Sequence, residues 1–340
     1  MRGRTARKTV GLRWPVANAR IRSSNHGVAW KQVLLRLDGF ELVIVSKMDS
    51  DRWAGCRGVA SCAAVALVAS VFTGSAAAQV TASVSVNPVA LVRRAVQLRL
   101  EEEKSHRPVR YVLRKTDGNH ETTKEIIETK DGDVARLVAI NGRPLTAEQE
   151  QTEMNRLDSL LAHPEMQERR RRSEQKDAAR IDQLVGMLPD SEVYKLEGMV
   201  SCGAVQCYRL SFTPNPKFET PNIEAEVLRG FAGEVWIEES QQRLVRLDAH
   251  LVREVSVGFG ILGRLNEGGT LELQQEFAAD AQEWQPTVLK MNLSGKALLV
   301  KTVNIRINEL ASDFSPVPPD LGYRDAIAML KKPSTLGTQQ

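Results

Sequence analysis

The segment Gly258–Gly263 is the part of the sequence whose residue types and spacing come nearest to a recognised chemistry. Its letters, GFGILG, match the G-x-G-x-x-G pattern of dinucleotide-binding loops. That pattern requires a helix directly after it, because the helix N-terminus binds the pyrophosphate. The residues that follow, Arg264–Gly269, are instead typical of a turn leading into another strand. The sequence therefore favours an apolar loop or a bulge at a sheet edge, and no cofactor is predicted.

The histidines downstream of the leader offer no catalytic or metal-binding spacing. None lies in an H-E-x-x-H or other paired pattern, and polar residues flank each one, so we expect them to be solvated. No G-x-S-x-G nucleophile elbow or phosphate-binding loop is present, and the acidic residues form no paired pattern. The protein is therefore predicted not to be an enzyme, and a hydrolase built from unpatterned residues ranks last among the alternatives. The four histidines are His106, His120, His163 and His250.

Cys202 and Cys207 are the two cysteines that follow the leader. A closed zinc site needs four ligands and no histidine lies nearby, while a redox motif has C-x-x-C rather than C-x4-C spacing. In an exported protein such a close pair predicts a structural disulfide, here at the tip of a hairpin. No metal is expected.

The basic charge of the chain is confined to its first 47 residues. The whole chain has a net charge of +4, whereas residues 1–47 carry +8, residues 48–78 carry zero and residues 79–340 carry −4. The body of the protein is therefore slightly acidic, and nucleic acid is not an expected partner. The basic run Arg169–Arg172 is flanked by acidic residues, which predicts a solvated helical face.

Residues 48–78 have the organisation of a secretory signal peptide. A charge-free apolar run, Val59–Phe72, is followed by an Ala-x-Ala site, which predicts cleavage between Ala78 and Gln79. The run is shorter than the ~20 apolar residues of a spanning helix. Met48 would start a signal of ordinary length, so residues 1–47 are interpreted as a non-native extension; an organelle presequence is the alternative. The expected location is periplasmic, either soluble or peripheral to a membrane.

Residues 79–332 are predicted to form a single α+β domain, followed by a flexible tail, 333–340. A first helix is expected from Pro88 to Lys104 with Asn87 as its N-cap, and Thr146 is expected to cap a charged helical insert, 146–188. The C-terminal part shows long one-sided alternation, beginning with a predicted strand at 243–257. Such alternation indicates an antiparallel sheet whose apolar face must be covered by helices.

Large apolar side chains cluster in this C-terminal sheet and its loops. They predict either an ordinary core packed under helices or a partly open apolar groove, which is the usual form of a small-molecule or lipid site. The candidate cavity residues are Trp236, Leu247, Leu251, Phe259, Ile261, Leu262, Leu273, Phe277, Trp284 and Met291.

Three segments of the sheet region resemble bacterial outer-membrane lipoprotein-sorting proteins. These segments are GEVWIEESQQRLVRLDAHL, EGGTLELQQEF and WQPTVLKMNLSGKALLVK. The family includes the periplasmic lipoprotein carrier, its outer-membrane receptor and a related lipid-responsive anti-sigma partner. The resemblance in layout spans roughly residues 88–312. It implies a curved antiparallel sheet, an incomplete β-barrel, with helices covering the concave face, and it implies binding of acyl chains without chemistry.

These observations lead to one functional hypothesis and one alternative. The first is an exported, non-enzymatic protein that holds a lipid or a lipoprotein acyl chain in an apolar cavity, in lipid or lipoprotein trafficking to the outer membrane. The alternative is a periplasmic interaction or sensor module, whose partner is a periplasmic or membrane protein and whose core is filled. An open or a packed sheet face distinguishes the two.

Overall fold

The computed structural model describes residues 86–258, 263–297 and 301–332. None of the helices within these ranges is long and apolar enough to cross a membrane. Several predictions fall outside the described residues: the extension 1–47, the signal peptide 48–78 with Ala78 and Gln79, the tail 333–340, and the candidate cavity residues Phe259, Ile261 and Leu262.

Two of the described helices begin at the N-cap residues that the sequence predicts. Asn87 accepts a hydrogen bond from the Ala90 amide at 3.2 Å, and Thr146 forms a reciprocal capping box with Gln149, so orphan amide donors are satisfied. The insert extends three residues beyond its predicted end at 188. The helices are α1 (Pro88–Ser105), α2 (Ala147–Ala162), α3 (Pro164–Ser191) and α4 (Tyr323–Leu330), and a 3₁₀ helix spans Glu224–Gly230.

All the described strands belong to one antiparallel sheet. Its main path has the order β4-β3-β2-β1-β13-β12-β11-β8-β7-β6-β5; off this path, β10 pairs with β12, and β9 pairs with β10. The strands are β1 (Val109–Asp117), β2 (His120–Ile127), β3 (Val134–Ile140), β4 (Arg143–Pro144), β5 (Glu192–Cys202), β6 (Val205–Pro214), β7 (Phe231–Glu238), β8 (Leu244–Leu251), β9 (Val255–Val257), β10 (Gly263–Leu265), β11 (Thr270–Ala278), β12 (Glu283–Ala297) and β13 (Lys301–Pro316).

The predicted strand 243–257 is wrong in its length, because the chain leaves the ladder after Leu251. The Val252 amide donates to the Gly230 carbonyl at 2.9 Å, and the Arg253 guanidinium donates to the Arg229 carbonyl. These bonds draw the chain toward the 3₁₀ helix before β9 begins. The alternation of apolar and polar residues could not predict this break, because Val255 and Val257 continue the odd-numbered apolar positions of the preceding strand.

The sheet stays open, because β4 and β5 form its two ends and do not pair with each other. Leu247, Leu273 and Leu289 lie directly opposite one another on β8, β11 and β12, so their side chains share one face. The predicted fold class, α+β with a curved antiparallel sheet and covering helices, is confirmed.

The helices cover two separate parts of the sheet. α1 packs with the apolar face of β6, β7 and β8 and also contacts α3. α2 and α4 pack together over Ile127 of β2 and Val134 of β3. The region under α1 and α3 is called the α1/α3 half below, and the region under α2 and α4 is called the α2/α4 half.

Cys202 and Cys207 form the predicted disulfide at the tip of the β5–β6 hairpin, with their Cα atoms 6.1 Å apart. The basic run on α3 is mostly paired along its own helix, since Glu168 accepts hydrogen bonds from both Arg171 and Arg172 at 2.8 Å. Arg170 departs from the expected solvated face, because its guanidinium donates to the Asp133 carbonyl at 3.2 Å.

Candidate functional site

An apolar cavity of about 160 Å³ lies between α3, the 3₁₀ helix and the sheet. Every residue that lines it is apolar except Glu192. The lining comprises Ile181, Leu184, Val185, Leu188, Glu192, Phe212, Val227, Leu228, Phe231, Leu247, Ala249, Leu271, Leu273, Leu289, Met291 and Leu293.

Two periodicities in the sequence build this lining. On α3, Ile181, Leu184, Val185 and Leu188 recur at the spacing of one helical face, so they form a single stripe above the sheet. On the strands, alternate residues face the same side, which brings leucines of β8, β11 and β12 together below that stripe. The cavity is therefore the space that these two apolar surfaces leave between them.

A second cavity of about 90 Å³ continues the first under α1. Val185, Leu188, Phe212 and Leu247 line both cavities, so the two cavities adjoin each other. We call this combined space the apolar channel. Its remaining apolar walls come from α1 and from β5, β7 and β8.

Charged side chains lie at one end of the apolar channel, near the C-terminal end of α1. Arg243, directly before β8, donates to Glu102 of α1 at 2.6 Å, and Arg99 pairs with Glu103 one helical turn away at 2.8 Å. Burial raises the pKa of the Glu102 carboxyl, and the positive charge of Arg243 opposes this change. The channel thus passes from a hydrocarbon lining to an ion-paired end.

His106, at the end of α1, lies between two carboxylates that are distant in sequence. Its Nε2 lies 2.6 Å from Glu128 and its Nδ1 lies 3.0 Å from Glu283 of β12. Burial disfavours the charged imidazole, but the hydrogen bond to Glu128 and both negative charges outweigh it and raise the pKa of His106 to about 9. His106 is exposed, as predicted, but its pairing with two carboxylates was not predicted. Polar neighbours in sequence could not reveal two carboxylates that only the fold brings together.

Glu192 is the one ionisable group in the lining of the larger cavity. It begins β5 directly after α3, and 4% of its surface is exposed. The Ser191 hydroxyl donates to Oε1 at 3.5 Å, whereas Oε2 has no hydrogen-bond partner among the described residues. Burial raises the pKa of Glu192 to about 8, and the Ser191 hydrogen bond opposes this only in part.

Three of the predicted cavity residues, Leu247, Leu273 and Met291, line the larger cavity. Leu251 lies outside the lining, fully buried in the neighbouring core cluster. Trp236 lies on the other face of β7 from Val235 and Ile237, since successive side chains alternate.

Trp236 packs instead under the Arg246 guanidinium, 5.2 Å from its ring centre. The ring centres of Phe277, near the end of β11, and Trp284, at the start of β12, lie 6.1 Å apart, and Phe277 is exposed. Trp284 borders the His106 region rather than the apolar channel. Large aromatic side chains were therefore a poorer guide to the cavity than the alternating leucines around them.

The sequence reasoning missed two parts of the lining. The stripe on α3 is visible as an apolar periodicity, but its place above the sheet is not. Glu192 has no sequence signature, since a glutamate between a helix and a strand is usually exposed. In the described ranges, no three His, Cys, Asp or Glu residues form a group that could hold a metal.

Comparison with known proteins returns structural likenesses only. No protein-family model matches the chain, and no curated protein matches it. The chain is similar to a solved structure of a LolA superfamily protein from Nitrosomonas europaea, with 10% identity, a TM-score of 0.26, and coverage of 69% of this chain and 95% of that one.

It is also similar to a DUF1329 family protein from Desulfovibrio piger, with 11% identity, a TM-score of 0.26, and coverage of 68% and 94%. At these TM-scores the likenesses carry no argument about ligand or activity. Any inference about the ligand therefore rests on the geometry of the channel.

Proposed function

We propose that the protein is an exported carrier that binds the acyl chain of a lipid or lipoprotein in the apolar channel and performs no chemistry on it. The observation that carries this proposal is the lining of the larger cavity, which contains fifteen apolar residues and one carboxyl group. A hydrocarbon ligand gains free energy there by leaving water, and it leaves no polar group of its own unsatisfied.

The shape of the channel supports a chain rather than a compact ligand. Two adjoining cavities that share four lining residues extend between the helices and the sheet further than either cavity alone. An unbranched alkyl chain can follow such a space, whereas a compact ligand of the same volume would fill only one cavity. Export to the periplasm, with a single mature domain over residues 79–332, is part of this proposal and is supported by the signal-like pattern of residues 48–78.

A blocking substitution tests the proposal. Val185 lines both cavities, so Val185→Trp places an indole at their junction. We expect it to weaken the binding of methyl palmitate at least about tenfold, which corresponds to about 1.4 kcal/mol. Displacement of the fluorophore 1-aminoanthracene from delipidated protein provides the measurement.

The matched control is Gln183→Trp, which adds the same indole to an exposed position of the same helix. Its affinity should stay close to that of the wild type. Equal affinities in the wild type and the Val185→Trp protein would place the ligand elsewhere. A wild-type protein that binds no acyl probe would instead favour an interaction module with a filled core.

A further inference from the structure

We propose that Glu192, in its protonated form, is the polar anchor of the apolar channel and donates a hydrogen bond to the carbonyl oxygen of the bound acyl ligand. This inference rests on the proposed function and specifies its ligand class. The ligand would be an alkyl chain that carries an ester or carboxyl carbonyl within reach of β5.

The first step of the argument is that Glu192 is unsatisfied in the hydrocarbon lining. It is 4% exposed, and its Oε2 has no hydrogen-bond partner within the described part of the chain. Buried polar groups are nearly always hydrogen-bonded, and leaving one without a partner costs free energy. A group of this kind that lines a cavity is explained most simply by a partner that enters the cavity.

The second step concerns the protonation state of the carboxyl group. Ionised carboxylates are strongly disfavoured in apolar surroundings unless a positive charge compensates them. The lining contributed by α3, the 3₁₀ helix, β6, β7, β8, β11 and β12 is apolar. Burial accordingly keeps the pKa of Glu192 at about 8, so the neutral acid predominates at neutral pH.

The groups adjacent to Glu192 do not supply a compensating charge. Lys217 and Glu219 line an open pocket together with Glu192, but the pKa of Glu192 is shifted by burial and by the Ser191 hydrogen bond, not by a charge. Tyr194 follows on β5, and its hydroxyl donates to the Leu188 carbonyl at 2.9 Å. Asp190, near the end of α3, is exposed and pairs with Arg93 of α1 at 2.7 Å. Ser191 contributes only a neutral hydroxyl.

The third step identifies the ligand chemistry. A protonated carboxyl group has an O–H donor, which needs an acceptor. A pure hydrocarbon cannot provide one, and a cationic amphiphile would require the carboxyl group to ionise in its apolar site. A carbonyl oxygen on an acyl chain satisfies the donor and leaves the rest of the chain in the apolar lining.

The experiment compares three proteins and three probes. The proteins are the wild type, Glu192→Gln, which keeps a hydrogen-bond donor of similar shape but does not titrate, and Glu192→Leu, which removes the donor. The probes are methyl palmitate, palmitic acid and hexadecane, and binding is measured by displacement of 1-aminoanthracene between pH 6 and pH 9.5. Circular dichroism at each pH verifies that the proteins are folded.

For methyl palmitate, we expect wild-type affinity to fall above pH 8, approaching tenfold per pH unit. Glu192→Gln should bind this ester with little change over the same range. His106, with a pKa of about 9, also titrates there, and it does so in both proteins, so a difference between them is due to Glu192.

At pH 6, Glu192→Leu should bind methyl palmitate about tenfold more weakly than Glu192→Gln does and should bind hexadecane at least as tightly. Whether methyl palmitate or palmitic acid binds the wild type more tightly at this pH distinguishes an esterified from a free acyl source. Identical pH profiles in the wild type and Glu192→Gln, or equal ester affinities in Glu192→Gln and Glu192→Leu, would overturn the anchor while leaving acyl binding intact. Absence of binding by every probe to every protein would overturn the proposed function as well.

Discussion

The α1/α3 half and the α2/α4 half are built from the same kinds of residue, and a cavity of about 160 Å³ lies within the first. In the α2/α4 half, Leu157 of α2 and Ile327 of α4 are fully buried against Ile127 and Val134. In the α1/α3 half, Val185 and Leu188 of α3 are only partly buried and border the channel. The comparison shows that covering a sheet with helices does not by itself produce a filled core.

Polar contacts distinguish the two halves further. In the α2/α4 half, the buried Arg136 guanidinium donates to the carbonyls of Leu330 and Lys332 at 2.6 and 2.8 Å and pairs with Glu150 of α2. In the α1/α3 half, the C-terminal end of α1 is held by the pair of Glu102 with Arg243 and by the contacts of His106 with Glu128 and Glu283. We infer that the α2/α4 half is held by packing and by carbonyl bonds, and that α1 is held in place partly by charge.

Truncating a leucine in each half gives the largest expected effect. Leu157→Ala should lower the free energy of unfolding by about 3 kcal/mol, because it leaves a void in a filled core. Leu188→Ala removes contacts beside a space that already exists and should cost roughly 1–2 kcal/mol. Urea unfolding of the two variants provides the measurement. Equal losses would show that the two halves are packed equally well.

Removing the buried arginine of the α2/α4 half should have a somewhat smaller effect. Arg136→Met leaves the carbonyl acceptors at the end of α4 without their donor, and we expect a loss of about 2 kcal/mol in the free energy of unfolding. Arg172→Met is the control, since Arg172 is exposed and pairs only with Glu168 on its own helix; its cost should stay below about 0.5 kcal/mol. If Arg136→Met lost as little free energy of unfolding as Arg172→Met, the hydrogen bonds from Arg136 to the carbonyls would not stabilise the α2/α4 half.

The charged contacts at the C-terminal end of α1 predict that the free energy of unfolding depends on pH, and this is the smallest of the three effects. The pKa of His106 in the folded protein, about 9, lies above the ordinary value of 6.5. Its stabilising contribution is therefore fully present below pH 6.5 and is lost as the pH rises through about 9. A third of this side chain is exposed, so after allowance for screening by solvent we expect about 1–2 kcal/mol.

His106→Gln measures that contribution. The difference in unfolding free energy between the wild type and His106→Gln should be largest near pH 6 and should shrink toward pH 9.5. A difference for His106→Gln that stays constant over this pH range would show that the imidazole is not held by the charges of Glu128 and Glu283.

The sequence predicted the features that depend on local chemistry. Asn87 and Thr146 cap their helices as expected, the cysteines pair, and the alternation of Leu247, Leu273 and Leu289 places them on one face. Periodicity reports which side of an element is apolar, and that is enough for the fold class.

The parts that could not be predicted depend on the approach of distant segments. His106 meets Glu128 and Glu283 across 22 and 177 positions of the chain, and Glu192 is buried only because α3 and the sheet enclose it. Trp236 is apolar and aromatic, yet its position in β7 places its side chain on the face of the strand away from the channel. Size and hydrophobicity do not identify the lining of a cavity unless the face of each strand is known.

The most direct test of acyl binding is an isotope-filtered nuclear Overhauser experiment on the protein saturated with methyl palmitate labelled with ¹³C along its chain. The apolar channel predicts contacts from the chain methylenes to the methyl groups of Leu273, Leu289 and Met291, and none to Leu157 or Ile327 in the α2/α4 half. Contacts to the α2/α4 half, or none to the three channel residues, would contradict the assignment of the channel as the acyl-chain site.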